Sequence, residues 1–166
     1  MAKITLGGNP AETIGTLPNV GSKAPNFFLT ATDMTDKTLD DYQGFRILLN
    51  IFPSVDTGIC AASSRKFNEK ASTLNNTKVL CISRDLPFAQ KRFCAAEGLE
   101  NVEMLSDFKT GKFGKEYNLE ITKSAFQGLH SRVVIVLNEK KEVIYTEQVP
   151  EIGQEPNYEA ALKVLQ

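Results

Sequence analysis

The chain divides into apolar and amphipathic segments that predict a sheet covered by helices. Residues 46–52 are almost continuously apolar, a pattern typical of a strand buried on both faces in the middle of a sheet. Residues 59–74 lack glycine and proline and are rich in good helix formers, so they predict a helix. Residues 78–83 predict a second buried strand, and residues 88–97 predict a second helix that Gly98 ends. This order indicates strand–helix units of a parallel sheet.

The remaining segments add strands and helices on both sides of these units. The turn formers Gly7 to Pro10 separate two weak strand patterns and predict an N-terminal β-hairpin. The further predicted elements are hairpin strands at 3–6 and 12–17, strands at 27–30 and 102–105, one or two helical turns at 111–117, an antiparallel hairpin of 132–137 and 142–148, and an amphipathic helix at 158–165. We therefore predict an α/β, thioredoxin-like fold: a mixed central β-sheet flanked by helices, with an N-terminal β-hairpin.

Composition places the chain among ordinary globular proteins. Its 166 residues fit one domain, 1–166, and apolar and charged residues make up 42% and 23% of the sequence. These values are far from the composition of disordered chains. The net charge is −1 and no Lys/Arg block is present, which argues against nucleic acid as a partner.

The sequence also bears on location and on the use of cysteine. Residues 1–8 lack the apolar segment of a secretory signal, and no stretch approaches the roughly 18 apolar residues of a membrane span. We therefore expect a cytoplasmic protein without membrane contact. Cys60, Cys81 and Cys94 are the only cysteines. In a reducing compartment cysteines tend to be catalytic or redox-sensing rather than joined in lasting disulfides.

Cys60 lies in the first turn of the helix predicted after the buried strand at 46–52. Unpaired amide groups and the positive end of the helix dipole favour a thiolate at this position. Thr57 is expected to cap the helix with its hydroxyl. The alternative is that Cys60 packs as a small hydrophobic residue in a capped helix.

Reduction of a peroxide by such a thiolate requires donors for the departing oxygen and a dry pocket. The amides near Cys60 and the Thr57 hydroxyl supply donors, and Pro53 can shield the sulfur from water without adding a competing donor. One fixed cation would complete such a site.

The spacing Pro-x-x-x-Thr-x-x-Cys, formed by Pro53, Thr57 and Cys60, resembles the active-site motif of the peroxiredoxins. That family also uses a distant arginine at the start of a strand, and Arg132 matches this position. The resemblance implies that the Arg132 guanidinium stabilises the thiolate and orients the peroxide. Without the resemblance, an arginine before a strand is usually a solvated or ion-paired surface residue.

The N-terminal hairpin, the length and residues 88–94 resemble the atypical two-cysteine subgroup, the bacterial thiol peroxidases. This resemblance covers essentially the whole chain. It implies that Cys60 is the peroxidatic cysteine and that Cys94 resolves it in an intramolecular disulfide. It further implies hydroperoxide substrates with a preference for alkyl hydroperoxides, thioredoxin as the reductant, a homodimer, and no metal or organic cofactor. The alternative for Cys94 is an ordinary buried helical thiol.

The other candidate residues predict no further chemistry. Cys81 lies within an apolar strand pattern and is expected to be an inert core thiol. His130 is the only histidine and is interpreted as a loop residue, so no zinc site is predicted. Thr57 occupies the place of a Cys-x-x-Cys partner to Cys60, which argues against a disulfide oxidoreductase. A non-enzymatic thioredoxin-fold binding module or redox sensor remains an alternative.

Overall fold

The computed structural model describes residues 1–166 and contains ten strands and four α-helices. The strands are β1 (Lys3–Leu6), β2 (Asn9–Thr13), β3 (Leu29–Ala31), β4 (Asp36–Lys37), β5 (Arg46–Ile51), β6 (Thr77–Ser83), β7 (Glu103–Ser106), β8 (Ile121–Lys123), β9 (Val133–Leu137) and β10 (Val143–Gln148). The helices are α1 (Gly58–Ala71), α2 (Pro87–Glu97), α3 (Lys112–Glu116) and α4 (Tyr158–Lys163), with a short 3-10 helix at Leu39–Tyr42.

A seven-stranded mixed sheet forms the centre, in the order β10-β9-β5-β6-β7-β3-β4. β5 pairs in parallel with β6, and β6 with β7, while β9 runs antiparallel to β5 on its other side. The antiparallel register places Ile51, at the end of β5, opposite Val133, at the start of β9. The predicted mixed sheet flanked by helices is confirmed.

The period-two alternation of the strands divides the interior into two layers. On one face of the sheet, alternate residues of β5 pack in a cluster with Phe113 and Tyr117. These β5 residues are Ile47, Leu49 and Ile51. Leu48 joins a second cluster with Phe67 of α1 on the other face. Cys60 of α1 and Phe93 of α2 belong to one cluster with Cys81 of β6, so α1 and α2 lie on the same face, as right-handed crossovers between parallel strands require. None of the helices combines the length and the apolar composition that a membrane-spanning segment needs.

The element boundaries differ most from prediction in the N-terminal hairpin. Gly7 and Gly8 both have positive φ, at 59° and 82°, and form a tight two-residue turn. The second hairpin strand therefore starts at once and spans Asn9–Thr13 rather than 12–17. Pro10 is accommodated because it pairs only with β1, at Thr5, and not with β8.

Other differences are smaller or concern short elements. α1 ends at Ala71 rather than 74, and β3 spans Leu29–Ala31 rather than 27–30. The short strands β4 and β8 were not predicted, because strands of two and three residues carry too little periodicity to be recognised.

Glu151 fastens the N-terminal hairpin to the chain beyond β10. Its carboxylate accepts hydrogen bonds from the amides of Gly7 at 3.1 Å, Gly8 at 2.8 Å and Gly153 at 2.9 Å, and from the hydroxyl of Thr5 at 2.9 Å. These bonds, first those from the Gly153 and Gly8 amides, lower the pKa of Glu151 to about 2. The ionised carboxylate is therefore part of the hairpin's attachment.

We expect Glu151→Gln to lower the free energy of unfolding at about pH 6 and to lose most of this effect at about pH 2. Since the folded-state pKa is depressed, the carboxylate stabilises the fold above its ordinary pKa of 4.5, and this contribution is lost as the pH falls towards 2. Urea unfolding at both pH values measures the difference. Glu155→Gln, at an exposed carboxylate that accepts only the Tyr158 hydroxyl, is the control. If Glu151→Gln lowered the free energy of unfolding equally at both pH values, ionisation of Glu151 would not be what stabilises the fold.

Candidate active site

Cys60 is the third residue of α1, directly after the loop that leaves the carboxyl end of β5. Its side chain is 0% exposed, and Pro53 is also buried where this loop begins. The amides of Gly58, Ile59 and Cys60 have no acceptor within the protein, because the first turn of a helix leaves its N–H groups unpaired. The sulfur therefore lies at the positive end of a helix, shielded from solvent.

Thr57 lies directly before α1 in the N-cap position, with extended backbone angles. Its hydroxyl donates to the Cys60 Sγ at 2.7 Å and lies 3.2 Å from the carbonyl oxygen of Ser54. It makes no capping bond to the helix amides, so the prediction of a side-chain cap was wrong. The hydroxyl contacts the sulfur instead, because Cys60 is one helical turn further along the same face.

Arg132 immediately precedes β9 and is 2% exposed. Its Nη2 donates to the Cys60 Sγ at 3.3 Å, and its Nε donates to the carbonyl oxygen of Ile152 at 2.6 Å. The antiparallel pairing of β5 with β9 brings this arginine beside the loop that follows β5. Arg132 is therefore not a solvated surface residue, and no carboxylate pairs with it. Its Nη1 is buried and has no hydrogen-bond partner.

Cys94 lies on α2, half-buried, and packs against the cluster that contains Cys60, Cys81 and Phe93. Burial raises the pKa of its thiol to about 11. All the cysteines are free thiols in this conformation. The structure thus places Cys94 in the same apolar cluster as Cys60, and its role as the resolving cysteine stays a prediction.

Cys81 lies within β6 and is fully buried, as predicted. Burial raises the pKa of this thiol to about 12, so it is protonated at neutral pH. His130 does lie between β8 and β9 but is not exposed: its side chain is fully buried, and its Nε2 lies 2.9 Å from Asp107 Oδ2. It belongs to the structural contacts of α3, because Asp107 also accepts the amide of Gly114 at 3.1 Å.

Sequence reasoning missed one carboxylate next to the site, that of Asp85. It accepts the Ser54 hydroxyl at 2.8 Å and the Val55 amide at 2.8 Å, in the loop between β5 and α1. Its position two residues after β6 could have drawn attention to it, because functional groups of α/β sheets gather at the carboxyl ends of parallel strands.

The arrangement around Cys60 suits a reactive thiolate. A hydroxyl, a guanidinium and a helix N-terminus all present positive charge or hydrogen-bond donors to one shielded sulfur. The same donors can bind an oxygen atom that gains negative charge beside that sulfur. Such a site is built for attack by sulfur on a small polar substrate.

Comparison with known proteins agrees with this geometry. Residues 19–162 match the protein-family model described as Redoxin. The chain is 53% identical over 165 residues to a thiol peroxidase of Mycobacterium bovis, with 99% of each chain covered. Its structure is similar to that of a peroxiredoxin-like protein from Aquifex aeolicus, with a TM-score of 0.94 at 32% identity over 99% of this chain and 96% of the other. A thiol peroxidase from Chromobacterium violaceum has the same fold, with a TM-score of 0.89 at 24% identity over 99% and 95% of the two chains.

Proposed function

Since the chain belongs to the redoxin family and is related to a thiol peroxidase over nearly its full length, we propose that it reduces hydrogen peroxide and alkyl hydroperoxides as a peroxiredoxin-type oxidoreductase. The observation that carries this proposal is the Cys60 sulfur held by the Thr57 hydroxyl at 2.7 Å and by the Arg132 guanidinium at 3.3 Å. Both groups donate to sulfur, and donors of this kind stabilise a thiolate.

In the first step the Cys60 thiolate attacks one oxygen of the hydroperoxide. A sulfur–oxygen bond forms, the oxygen–oxygen bond breaks, and the departing oxygen takes a proton to leave as water or an alcohol. The Thr57 hydroxyl and the Nη2 of Arg132 already donate to the sulfur, and the unpartnered Nη1 of Arg132 offers a further donor to the oxygen that gains charge. In this proposal Pro53, which is buried at the start of the same loop, shields the sulfur from water and offers no N–H of its own.

In the second step the Cys94 thiol condenses with the sulfenic acid of Cys60, releasing water and forming a disulfide. A disulfide requires Cα atoms within roughly 7 Å, and the two cysteines lie on separate helices as free thiols. We therefore propose that the end of one or both helices unwinds. Unwinding also exposes Cys94 and removes the burial that raises its pKa to about 11.

The cycle closes when an external dithiol, thioredoxin in this proposal, reduces the Cys60–Cys94 disulfide by thiol–disulfide exchange and is itself oxidised to a disulfide. A reducing compartment such as the cytoplasm would supply this reductant. The proposal treats residues 1–166 as one domain that works as a homodimer. It calls for no cofactor, because sulfur alone carries the two electrons.

We expect thioredoxin, its reductase and NADPH to sustain continuous NADPH oxidation when cumene hydroperoxide is added to the wild-type protein. Cys94→Ser should lose this turnover yet still consume about one equivalent of peroxide, because Cys60 alone performs the first step. Mass spectrometry after one equivalent of peroxide, with free thiols alkylated, should show a Cys60–Cys94 bond. Cys81 should be alkylated only after unfolding, since it is fully buried.

A redox sensor would give a different result in the same assay. It would be oxidised once and would show little steady-state NADPH consumption, although the same disulfide formed. A disulfide that joins Cys81 to Cys60 or to Cys94, or full turnover in Cys94→Ser, would exclude Cys94 as the resolving residue.

A further inference from the structure

Asp85 binds the loop that carries the active-site residues. Its Oδ1 accepts the Ser54 hydroxyl at 2.8 Å, and its Oδ2 accepts the Val55 amide at 2.8 Å and the Ser83 hydroxyl at 2.6 Å. A carboxylate that accepts several hydrogen bonds restrains the groups that donate them, because hydrogen bonds to an ionised group are stronger than those between neutral groups. Through Ser54 and Val55 it holds the middle of the segment between β5 and α1.

The same loop residue connects Asp85 to Thr57. The Ser54 carbonyl oxygen accepts the Thr57 amide at 3.3 Å and lies 3.2 Å from the Thr57 hydroxyl, and the Ser54 side chain accepts the Asp56 amide at 3.1 Å. Ser54 therefore fixes the turn that points the Thr57 hydroxyl at Cys60. A shift of Ser54 would move the group that donates to the sulfur.

Asp85 is itself fixed to the central sheet. Its amide donates to the hydroxyl of Ser83, the last residue of β6, at 3.3 Å, and its carbonyl oxygen accepts the hydroxyl of Ser106, the last residue of β7. Both serines are buried. The loop before Cys60 is thus tied through Asp85 to the rigid ends of two parallel strands.

The connection continues into the helix of Cys94. Gln90 is fully buried on α2, and its Nε2 donates to the Ser83 hydroxyl at 3.1 Å and to the Leu105 carbonyl oxygen at 2.9 Å. Gln90 lies about one helical turn before Cys94. One hydrogen-bond network therefore joins the loop of Cys60 to the start of the helix that carries Cys94.

We propose that Asp85 is a positioning residue that holds the peroxide-reactive conformation of the loop before Cys60. The proposal rests on the peroxidase function proposed above. Asp85 does not touch the sulfur and acts through Ser54 and Thr57. Its loss should slow the attack of Cys60 on peroxide, which requires the folded loop. Disulfide formation requires local opening, so it should not be slowed.

The test measures the two steps separately in Asp85→Ala and Asp85→Asn. Since the chain contains no tryptophan, the first step is followed by competition for hydrogen peroxide with a haem peroxidase. The second is followed by acid quenching and mass spectrometry of the Cys60–Cys94 disulfide. We expect Asp85→Ala to lower the first rate constant by about 10- to 100-fold, as a displacement on the order of 1 Å can do. The second rate constant should fall by less than about 3-fold, because opening is not hindered.

Asp85→Asn supplies the rescue. Its amide oxygen can still accept the Val55 amide, so the first step should be slowed by about 10-fold at most, less than in the alanine variant. If the alanine variant does not fold, Asp85→Asn alone tests the proposal: the rate constant of the first step should fall, and that of the second step should not. Asp36→Ala is the control: Asp36 accepts the Thr30 hydroxyl at 3.1 Å and the Lys109 ammonium at 2.9 Å on the edge strand β4, and its loss should change neither step.

An unchanged first step in both Asp85 variants, or an equal loss in both steps, would overturn the positioning role. Failure of the peroxidase proposal would look different, because the wild-type protein itself would then not react with peroxide in the competition assay.

Discussion

Replacing Cys60 by serine is expected to lower peroxide consumption to below about one-thousandth of the wild-type rate. A serine hydroxyl stays protonated at neutral pH even beside the donors of Thr57 and Arg132, and oxygen does not attack peroxide oxygen as a thiolate does. Serine is close to cysteine in size, and its hydroxyl finds the same partners, so the fold should be kept. The measurement is the consumption of hydrogen peroxide in the coupled thioredoxin assay, together with circular dichroism and thermal unfolding.

Cys81→Ser is the matched control for this result. Cys81 is as deeply buried as Cys60 but lies in β6, where Asn50 donates to its sulfur at 3.6 Å and no cation contacts it. We expect this variant to keep more than about half of the activity and to lose on the order of 1–3 kcal/mol of stability, because a hydroxyl is buried in an apolar cluster. Activity that survives in Cys60→Ser, or that disappears equally in both variants, would contradict the assignment of the reacting sulfur.

The sheet and its main helices could be predicted because their patterns are long and regular. The apolar run of β5 and the helix that begins near Cys60 depend on local periodicity, and their order leaves few topologies. The predicted contact between Arg132 and Cys60, however, joins residues 72 positions apart in sequence. No local pattern specifies this contact, and only the resemblance of the motif to a known family indicated it.

Features that depend on tertiary packing could not be predicted. The contact of Glu151 with the turn at Gly7 and Gly8 joins residues 144 and 143 positions apart in sequence, and the burial of His130 accompanies its contact with Asp107. The side-chain cap predicted for Thr57 was wrong, and its role in the reaction stays a prediction. A threonine before a helix is typical of a cap, but this hydroxyl contacts the sulfur of Cys60, which lies one helical turn further along the same face.

The burial of Arg132 indicates a site arranged for reactivity at some cost to stability. Its guanidinium has no carboxylate partner and one nitrogen, Nη1, without any hydrogen bond, although the residue is only 2% exposed. An unpaired buried charge is unfavourable for folding and is retained where it serves a function. The group that this guanidinium does contact is the Cys60 sulfur, at 3.3 Å, and in the proposed reaction the anionic form of that sulfur is the favourable partner of the charge. Activity and stability should therefore respond differently when the guanidinium is removed.

We expect Arg132→Met to lower the rate constant of Cys60 oxidation by about 100- to 1000-fold, because removal of one charge-stabilising donor has effects of this size. The free energy of unfolding should change by less than about 2 kcal/mol, since the lost bond to Ile152 is offset by removal of a buried charge. Arg132→Lys keeps the charge but lacks the planar fork that reaches both Ile152 and the sulfur, so the rate constant of Cys60 oxidation is expected to fall by at least about 10-fold.

Arg46→Met is the control, because Arg46 is a partly buried arginine at the opposite end of β5, paired with Glu139 at 3.7 Å. Peroxide competition kinetics and urea unfolding measure the two effects. A rate in Arg132→Met equal to that of Arg46→Met would show that the guanidinium does not act on the sulfur.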